Sequence, residues 1–259
     1  MGQDYELFVR NVKKKTGLDL SLYKETQMKR RLKSFYEKKG FRSFSDLYCG
    51  LSKDAKLLEE FLDRITINVS EFFRNRKHWE ILETSILPPL LQKNRRIRVW
   101  SAACSTGEEP YTLALILSKF MPLSQIKIIA TDIDEKALSK AKEGLFSERA
   151  VQEIPSELKR KYFSKKGDLY ILSDDIKKTV IFKKHNLLAD PYGGPYDLIV
   201  CRNVLIYFTE EAKEMVYKKF NKALTTGGIL FVGSTEQIFN PSRYGFAGVE
   251  TFFYKKTGQ

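Results

Sequence analysis

The chain has 259 residues, enough for one large domain or for a small and a mid-sized one, and its 42% hydrophobic and 30% charged content is that of a folded globular protein. Forty-five Lys and Arg against 32 Asp and Glu leave a net charge of +13, which draws polyanions or acidic protein surfaces. Three scattered cysteines (Cys49, Cys104, Cys201) and two histidines (His78, His185) fit no disulfide framework, zinc pattern or His-based triad, the N-terminus lacks the apolar core of a signal peptide, and the longest apolar stretch, 112–121, is broken by Ser118 and Lys119. The expectation is a cytoplasmic protein with no metal and no membrane insertion.

The first part of the chain reads as helices. Tyr5, Phe8, Val9 and Val12 recur at helical spacing and Gly17 supplies a stop; Met28, Leu32, Phe35 and Tyr36 form the apolar stripe of a second helix that Gly40 ends. Lys29, Arg30 and Lys33 point away from that stripe, within a stretch from Arg10 to Arg42 holding twelve basic residues against three acidic ones. Such a face is either simply solvated or a docking surface for an acidic partner. Ser43 with Asp46 caps a short third helix, and Leu57, Leu58, Phe61, Leu62 and Ile65 mark the inner face of a fourth.

From Arg96 short β-rich runs alternate with helical ones, the grammar of a parallel sheet with crossover helices. Strands are expected over 97–102, 126–131, 197–201 and 229–233, with helices over 109–120, 135–143 and 210–224; 66–94, with Pro88-Pro89 near its end, bridges the two parts. The runs 168–172 and 180–184, on either side of Ser173-Asp174-Asp175, read as antiparallel strands inserted in this α/β domain.

Ligands of open α/β sheets lie beyond the carboxyl ends of the strands, where strand order reverses. There the first strand runs into Ser101-Ala102-Ala103-Cys104-Ser105-Thr106-Gly107-Glu108-Glu109-Pro110, small residues that let a ligand approach the backbone before Pro110 starts a helix. One glycine is too few for a G-x-G-x-x-G pyrophosphate loop, which favours a ligand without pyrophosphate over a dinucleotide. The second strand ends in Thr131-Asp132-Ile133-Asp134, a carboxylate where ribose hydroxyls are held; Asp134 reads first as the N-cap of the next helix.

Four segments resemble the CheR family of chemotaxis receptor methyltransferases: Ile67-Asn68-Val69-Ser70-Glu71-Phe72-Phe73-Arg74, Trp100 to Tyr111, Ala130 to Asp134, and Cys201-Arg202-Asn203-Val204-Leu205-Ile206-Tyr207-Phe208. The resemblance implies an all-α N-terminal domain (1–70, basic, for substrate docking), a linker helix (71–94), and a Rossmann-like S-adenosylmethionine domain (95–259) with a small antiparallel β insertion at about 164–184. It implies a cytoplasmic protein-glutamate O-methyltransferase that esterifies glutamates on the helical bundle of methyl-accepting chemotaxis receptors and releases S-adenosylhomocysteine. Carried over by motif, Asn68, Ser70 and Arg74 contact the cofactor from the linker, the Glu108-Glu109 pair approaches its methionine end with Glu109 favoured, and Asp132 holds the ribose. Asn186 and Leu187 flank the adenine, Arg202 and Asn203 close the pocket, Arg74 and Tyr207 attend the reaction, and Lys29, Arg30 and Lys33 dock the receptor. Arg74 read alone is also a solvated helix-end charge, and Tyr207 a core aromatic. The hairpin is short and lacks an extended Gly-rich loop for gripping a receptor C-terminal peptide.

A glutamate carboxylate, with an ordinary pKa near 4.3, is already an anion at neutrality, so the absence of a His or Cys constellation suits this chemistry. Two other functions compete: a nucleic-acid methyltransferase, suggested by an isoelectric point near 9.5, and a noncatalytic cofactor-binding adaptor. Against the first, Cys201-Arg202-Asn203-Val204 stands where an Asp/Asn-Pro-Pro-aromatic motif is expected; against the second, Arg74, Asp132 and Tyr207 are intact.

Overall fold

The computed structural model describes residues 2–66, 68–93 and 96–258; Ile67 of the first motif and the expected boundaries at residues 1, 94, 95 and 259 lie outside these. The chain divides into two units, Met1–Ile67 with Tyr207–Met215, and Asn68–Ile206 with Val216–Gln259.

In the first unit the apolar stripes become helices α1 (Gly2–Thr16), α2 (Glu25–Lys38), α3 (Phe44–Lys53) and α4 (Ala55–Ile65). Gly17 ends α1 at φ 75°, where a side chain would be strained, and its N–H bonds the Lys13 carbonyl. Ser43 accepts from the Asp46 N–H at 3.0 Å, and Asp54 accepts from Lys56 and Leu57 N–H to start α4. Phe8, Leu32, Leu47 and Phe61 are buried, each contributing roughly 1.5–3 kcal/mol of apolar burial. The Tyr207 segment joins this unit through its backbone: Lys24 N–H donates to the Tyr207 carbonyl at 2.8 Å and Thr209 N–H to the Leu22 carbonyl at 2.9 Å.

The second unit opens with α5 (Arg76–Ile81), which passes through a π-helical turn at Leu82–Ile86 into α6 (Leu87–Lys93). Its main sheet holds β1 (Val99–Ala102), β2 (Ile128–Asp132), β6 (Val180–Lys184), β7 (Tyr196–Cys201), β8 (Leu224–Val232), β9 (Phe246–Glu250) and β10 (Phe253–Lys256). The order is β6-β2-β1-β7-β8-β10-β9, parallel as far as β8 and antiparallel beyond it. Successive strands step from β1 to β2 on one side and from β7 to β8 on the other, so β1 and β7 flank the switch point. Helix α7 (Glu108–Leu117) follows β1 and, beyond its first-turn glutamates, is buried on every side with Thr112 its one polar side chain, as a helix within the core should be. Helices α8 (Glu135–Glu143), α9 (Ser156–Tyr162), α10 (Asp174–Lys177) and α11 (Glu210–Ala223) complete the unit, with the first residues of α11 counted in the other.

Two expectations are corrected. The run at 180–184 is not an antiparallel partner of 168–172: β6 pairs in parallel with β2, Val180 beside Ile128 and Lys184 beside Asp132. Ser173-Asp174-Asp175 is the start of α10, because Ser, Asp and Asp suit a helix N-terminus as well as they suit a turn. The small antiparallel sheet is instead β3 (Leu145–Ser147), β4 (Phe163–Lys166) and β5 (Leu169–Leu172) in the order β3-β5-β4, with Gly167 at φ 60° turning its hairpin. The second correction is that α7 begins at Glu108, after Gly107 at φ 97°, so Pro110 sits within the first turn, where its missing N–H is not needed.

Candidate active site

The loop after β1 makes an unusual chain path: Ala103, Ser105 and Gly107 all lie in the left-handed region, at φ 62°, 50° and 97°. Asp132, at the end of β2, supports that path. Its carboxylate accepts from Ser105 N–H at 2.7 Å and Asp134 N–H at 2.9 Å, tying two strand-end loops together. Burial pushes the Asp132 carboxyl up while these amides pull it back, the net direction being up. Asp134 caps α8 by accepting from Lys136 and Ala137 N–H, and also receives Asn68 Nδ2 at 2.6 Å. Asn68 Oδ1 in turn accepts from Ser105 Oγ at 2.9 Å, so Asn68 clasps both loops.

The paired glutamates diverge. Glu108 is buried and receives hydroxyl donors from Thr106, at 2.7 Å, and Ser70. Glu109 accepts from Ser101 Oγ at 2.8 Å, and burial pushes its carboxyl up to about 7 despite the opposing charge of Arg202. Arg202, 6% exposed, donates to the Arg74 carbonyl at 2.8 Å and to Asn75 Oδ1 at 3.3 Å. Its guanidinium lies over Trp79 and Phe231, within 5 Å of both ring centres, and its Nε is buried with no hydrogen-bond partner among the described residues. Arg74 donates to the Val69 carbonyl at 3.1 Å, bracing the segment that carries Asn68 and Ser70. Asn203 follows Arg202 at φ 63°.

After β6, Asn186 closes its own turn by accepting from Leu188 N–H at 2.9 Å, and buried Leu187 is fixed by Tyr192 Oη bonding its carbonyl at 2.8 Å. Beneath lies an aromatic cluster in which Trp100 meets His185, Tyr192, Tyr196 and Phe220. The structure therefore brings Glu108, Glu109, Asp132, Asn186, Leu187, Arg202 and Asn203 to the carboxyl ends of the parallel strands, with Asn68, Ser70 and Arg74 in the segment bonded to those loops. Tyr207, Lys29, Arg30 and Lys33 belong to the other unit, where the Tyr207 ring lies under the Arg31 guanidinium at 5.5 Å and Arg31 donates to the Ile65 carbonyl at 2.7 Å.

Sequence reasoning missed Glu236, whose buried carboxylate accepts from Asn203, Val204, Leu205, Ile206 and Gly233 N–H. Its partners in the loop after β7 lie some thirty residues away, and the one local signal is a strand-ending Gly233 followed by an acid. Burial pushes the Cys104 and Cys201 thiols well above their ordinary range, so neither is suited to act as a nucleophile. Among the described residues no cluster of His, Cys, Asp and Glu could hold a metal ion, and no helix is long and apolar enough to cross a membrane.

The CheR methyltransferase all-alpha domain matches residues 3–66, and the CheR methyltransferase SAM binding domain matches residues 68–253. A chemotaxis protein methyltransferase of Listeria innocua is 49% identical, covering 98% of each chain. Proteins of the same description from Borreliella burgdorferi and Pseudomonas aeruginosa are 38% and 34% identical, covering 86% and 93% of this chain and 83% and 93% of theirs. With a switch-point site assembled on the matched domain, this chain belongs to the CheR methyltransferase family and is an S-adenosylmethionine-dependent methyltransferase.

Proposed function

We propose that this enzyme methylates glutamate side chains of chemotaxis receptors, forming γ-glutamyl methyl esters and S-adenosylhomocysteine. The observation that carries the cofactor half is Arg202, whose buried Nε has no hydrogen-bond partner among the described residues, within electrostatic reach of the buried acid Glu109: a cation and an acid at one site suit the carboxylate and ammonium of an amino-acid moiety. Asp132 is placed at the strand end suited to ribose hydroxyls, and the Asn186-Leu187 turn to an adenine face. Asn68, Ser70 and Arg74 approach from the segment before α5, Glu108 supports the methionine end, and Asn203 closes the pocket. Bound S-adenosylmethionine supplies an electrophilic methyl on a cationic sulfur.

The substrate glutamate attacks as an anion: one carboxylate oxygen forms the O–C bond as the S–C bond breaks, and both charges vanish. No protein base is required, so the residues contribute alignment and exclusion of water. Arg74 orients a carboxylate and Tyr207 hydrogen-bonds one. The receptor half rests on the relatives described as chemotaxis protein methyltransferases and on the exposed Arg30 and Lys33 of α2, which suit an acidic helical surface; Lys29, against expectation, is half-buried with its ammonium over the Tyr5 ring. The test is transfer from methyl-labelled cofactor to a receptor cytoplasmic fragment, with RNA as a parallel substrate. Base-labile label on the fragment, located on glutamate by mass spectrometry, is expected; label on RNA, or none on protein, would overturn the proposal.

A further inference from the structure

Glu236 stands in the loop after β8, 5% exposed, and all its partners are backbone donors. Oε2 accepts from Asn203 N–H at 2.6 Å and Gly233 N–H at 2.8 Å; Oε1 accepts from Leu205 at 2.7 Å, Val204 at 2.9 Å and Ile206 at 3.3 Å. With donors alone around both oxygens, the arrangement suits a carboxylate rather than a carboxylic acid, which would have to aim its own O–H at one of them. Four consecutive amides turned toward one anion make a concave nest, and this needs Asn203 in the left-handed region at φ 63°. Gly233 completes the fit: a β-carbon there would overlap Glu236 Oε2 and come within 2.9 Å of the Asn203 nitrogen. Glu236 also acts on the charge of Arg202 from the side opposite in sign, as Glu109 does.

We propose that Glu236 is a positioning residue of the methyltransferase site, an anionic latch that shapes the loop of 203–206 so that Arg202 and Asn203 can receive the cofactor's amino-acid end. This rests on the assignment of Arg202 and Asn203 to the cofactor pocket. Glu236 acts through its neighbours. Losing the charge-assisted bonds leaves several buried N–H groups poorly matched, and the loop relaxes.

The test uses the full-length protein with Glu236→Gln, which keeps size and replaces one acceptor by a donor, and Gly233→Ala, which displaces the carboxylate without touching its charge. Hydrogen exchange at the amides of residues 203–206 reads the latch, and calorimetric titration with S-adenosylhomocysteine reads the pocket. Both variants should exchange faster at those amides than the parent, with β1 and β2 unchanged, and bind about tenfold or more weakly. Adding Asn203→Ala to Glu236→Gln should cost less than the two separate losses combined, because the two residues act as one. Unchanged exchange at 203–206 in both variants would refute the latch, whatever happens to binding. Faster exchange with parental affinity would instead refute the pocket assignment and the positioning role with it. If Glu236→Gln fails to fold, Gly233→Ala alone decides by the same two readings.

Discussion

Cofactor affinity should rise with pH below neutrality, and Glu109 should be the cause. Its carboxyl is pushed up to about 7, chiefly by burial, with Glu236 adding to the effect and Arg202, Ser101 and Arg74 opposing it. If an ammonium group requires the ionised form, apparent affinity scales with the ionised fraction, about 0.09 at pH 6.0 and about 0.76 at pH 7.5, a roughly eightfold gain. Binding at pH 6.0 should then release close to one proton, measured as a calorimetric heat that changes with the ionisation enthalpy of the buffer. Glu109→Gln should bind weakly with neither pH response nor proton release. A parent protein whose affinity is flat over this range, or a Gln variant that keeps the slope, would refute the reasoning.

The same residue makes a stability prediction of defined sign. A carboxyl whose pKa is raised from 4.5 to about 7 on folding binds more protons in the native state across that window, so it lowers stability as pH rises through it. The cost is at most on the order of 3 kcal/mol, an upper bound because Glu109 keeps partial contact with water. Without cofactor, Glu109→Gln should melt higher than the parent at pH 7.5 and show no such gain at pH 4.5. The enzyme would thus hold a destabilising acid in readiness for a cation.

Other outcomes follow from the geometry. Asp132→Ala should lower the melting temperature as well as cofactor affinity, because the carboxylate proposed to hold the ribose also fastens Ser105 and Asp134, with a loss on the order of 1.5–3 kcal/mol in unfolding and titration experiments; a normal melting curve would show those amides to be dispensable. Tyr207→Phe should lower the rate of receptor methylation and leave S-adenosylhomocysteine affinity at the parental value; an unchanged rate would return Tyr207 to a packing role. Lys29→Glu, Arg30→Glu and Lys33→Glu together should slow receptor methylation and flatten its salt dependence, since exposed charges act on encounter and are screened beyond about 10 Å at 0.1 M salt. Lys29 pairs with Glu25, and Lys33 lies 3.7 Å from Glu37, whereas Arg30 makes no ion pair among the described residues, so Arg30→Glu should have the largest single effect.

The parts of this fold legible in the sequence are those set by local periodicity. Tyr5, Phe8, Val9 and Val12 announce a helix face and are all buried; the small residues after β1 announce a loop, and it takes three left-handed turns of the backbone. Asp134 reads as a cap and is one. What the sequence hides is set by distance. The pairing of Val180–Lys184 is decided by its parallel neighbour Ile128–Asp132, fifty residues earlier, and alternation alone cannot separate that edge strand from a hairpin arm. The attachment of Tyr207–Met215 to the helical unit depends on backbone bonds to Leu22 and Lys24 that no motif encodes.

The three acids at the strand ends show why charge at this site has to be read from geometry. Burial raises Asp132, Glu109 and Glu236 alike, and composition cannot tell them apart. Asp132 faces the backbone amides of Ser105, Ile133 and Asp134 and Glu236 faces five, so each has fixed partners of its own, whereas Glu109 faces the Ser101 hydroxyl and the charge of Arg202. A cation entering the pocket therefore changes the protonation of Glu109 most, since amides already compensate the other two. That ordering separates a binding acid from a scaffolding acid. Proton release on cofactor binding should vanish in Glu109→Gln and persist in Gly233→Ala, even though both variants bind weakly; release that disappears in both would mean that the acids titrate as one coupled group rather than with separate duties.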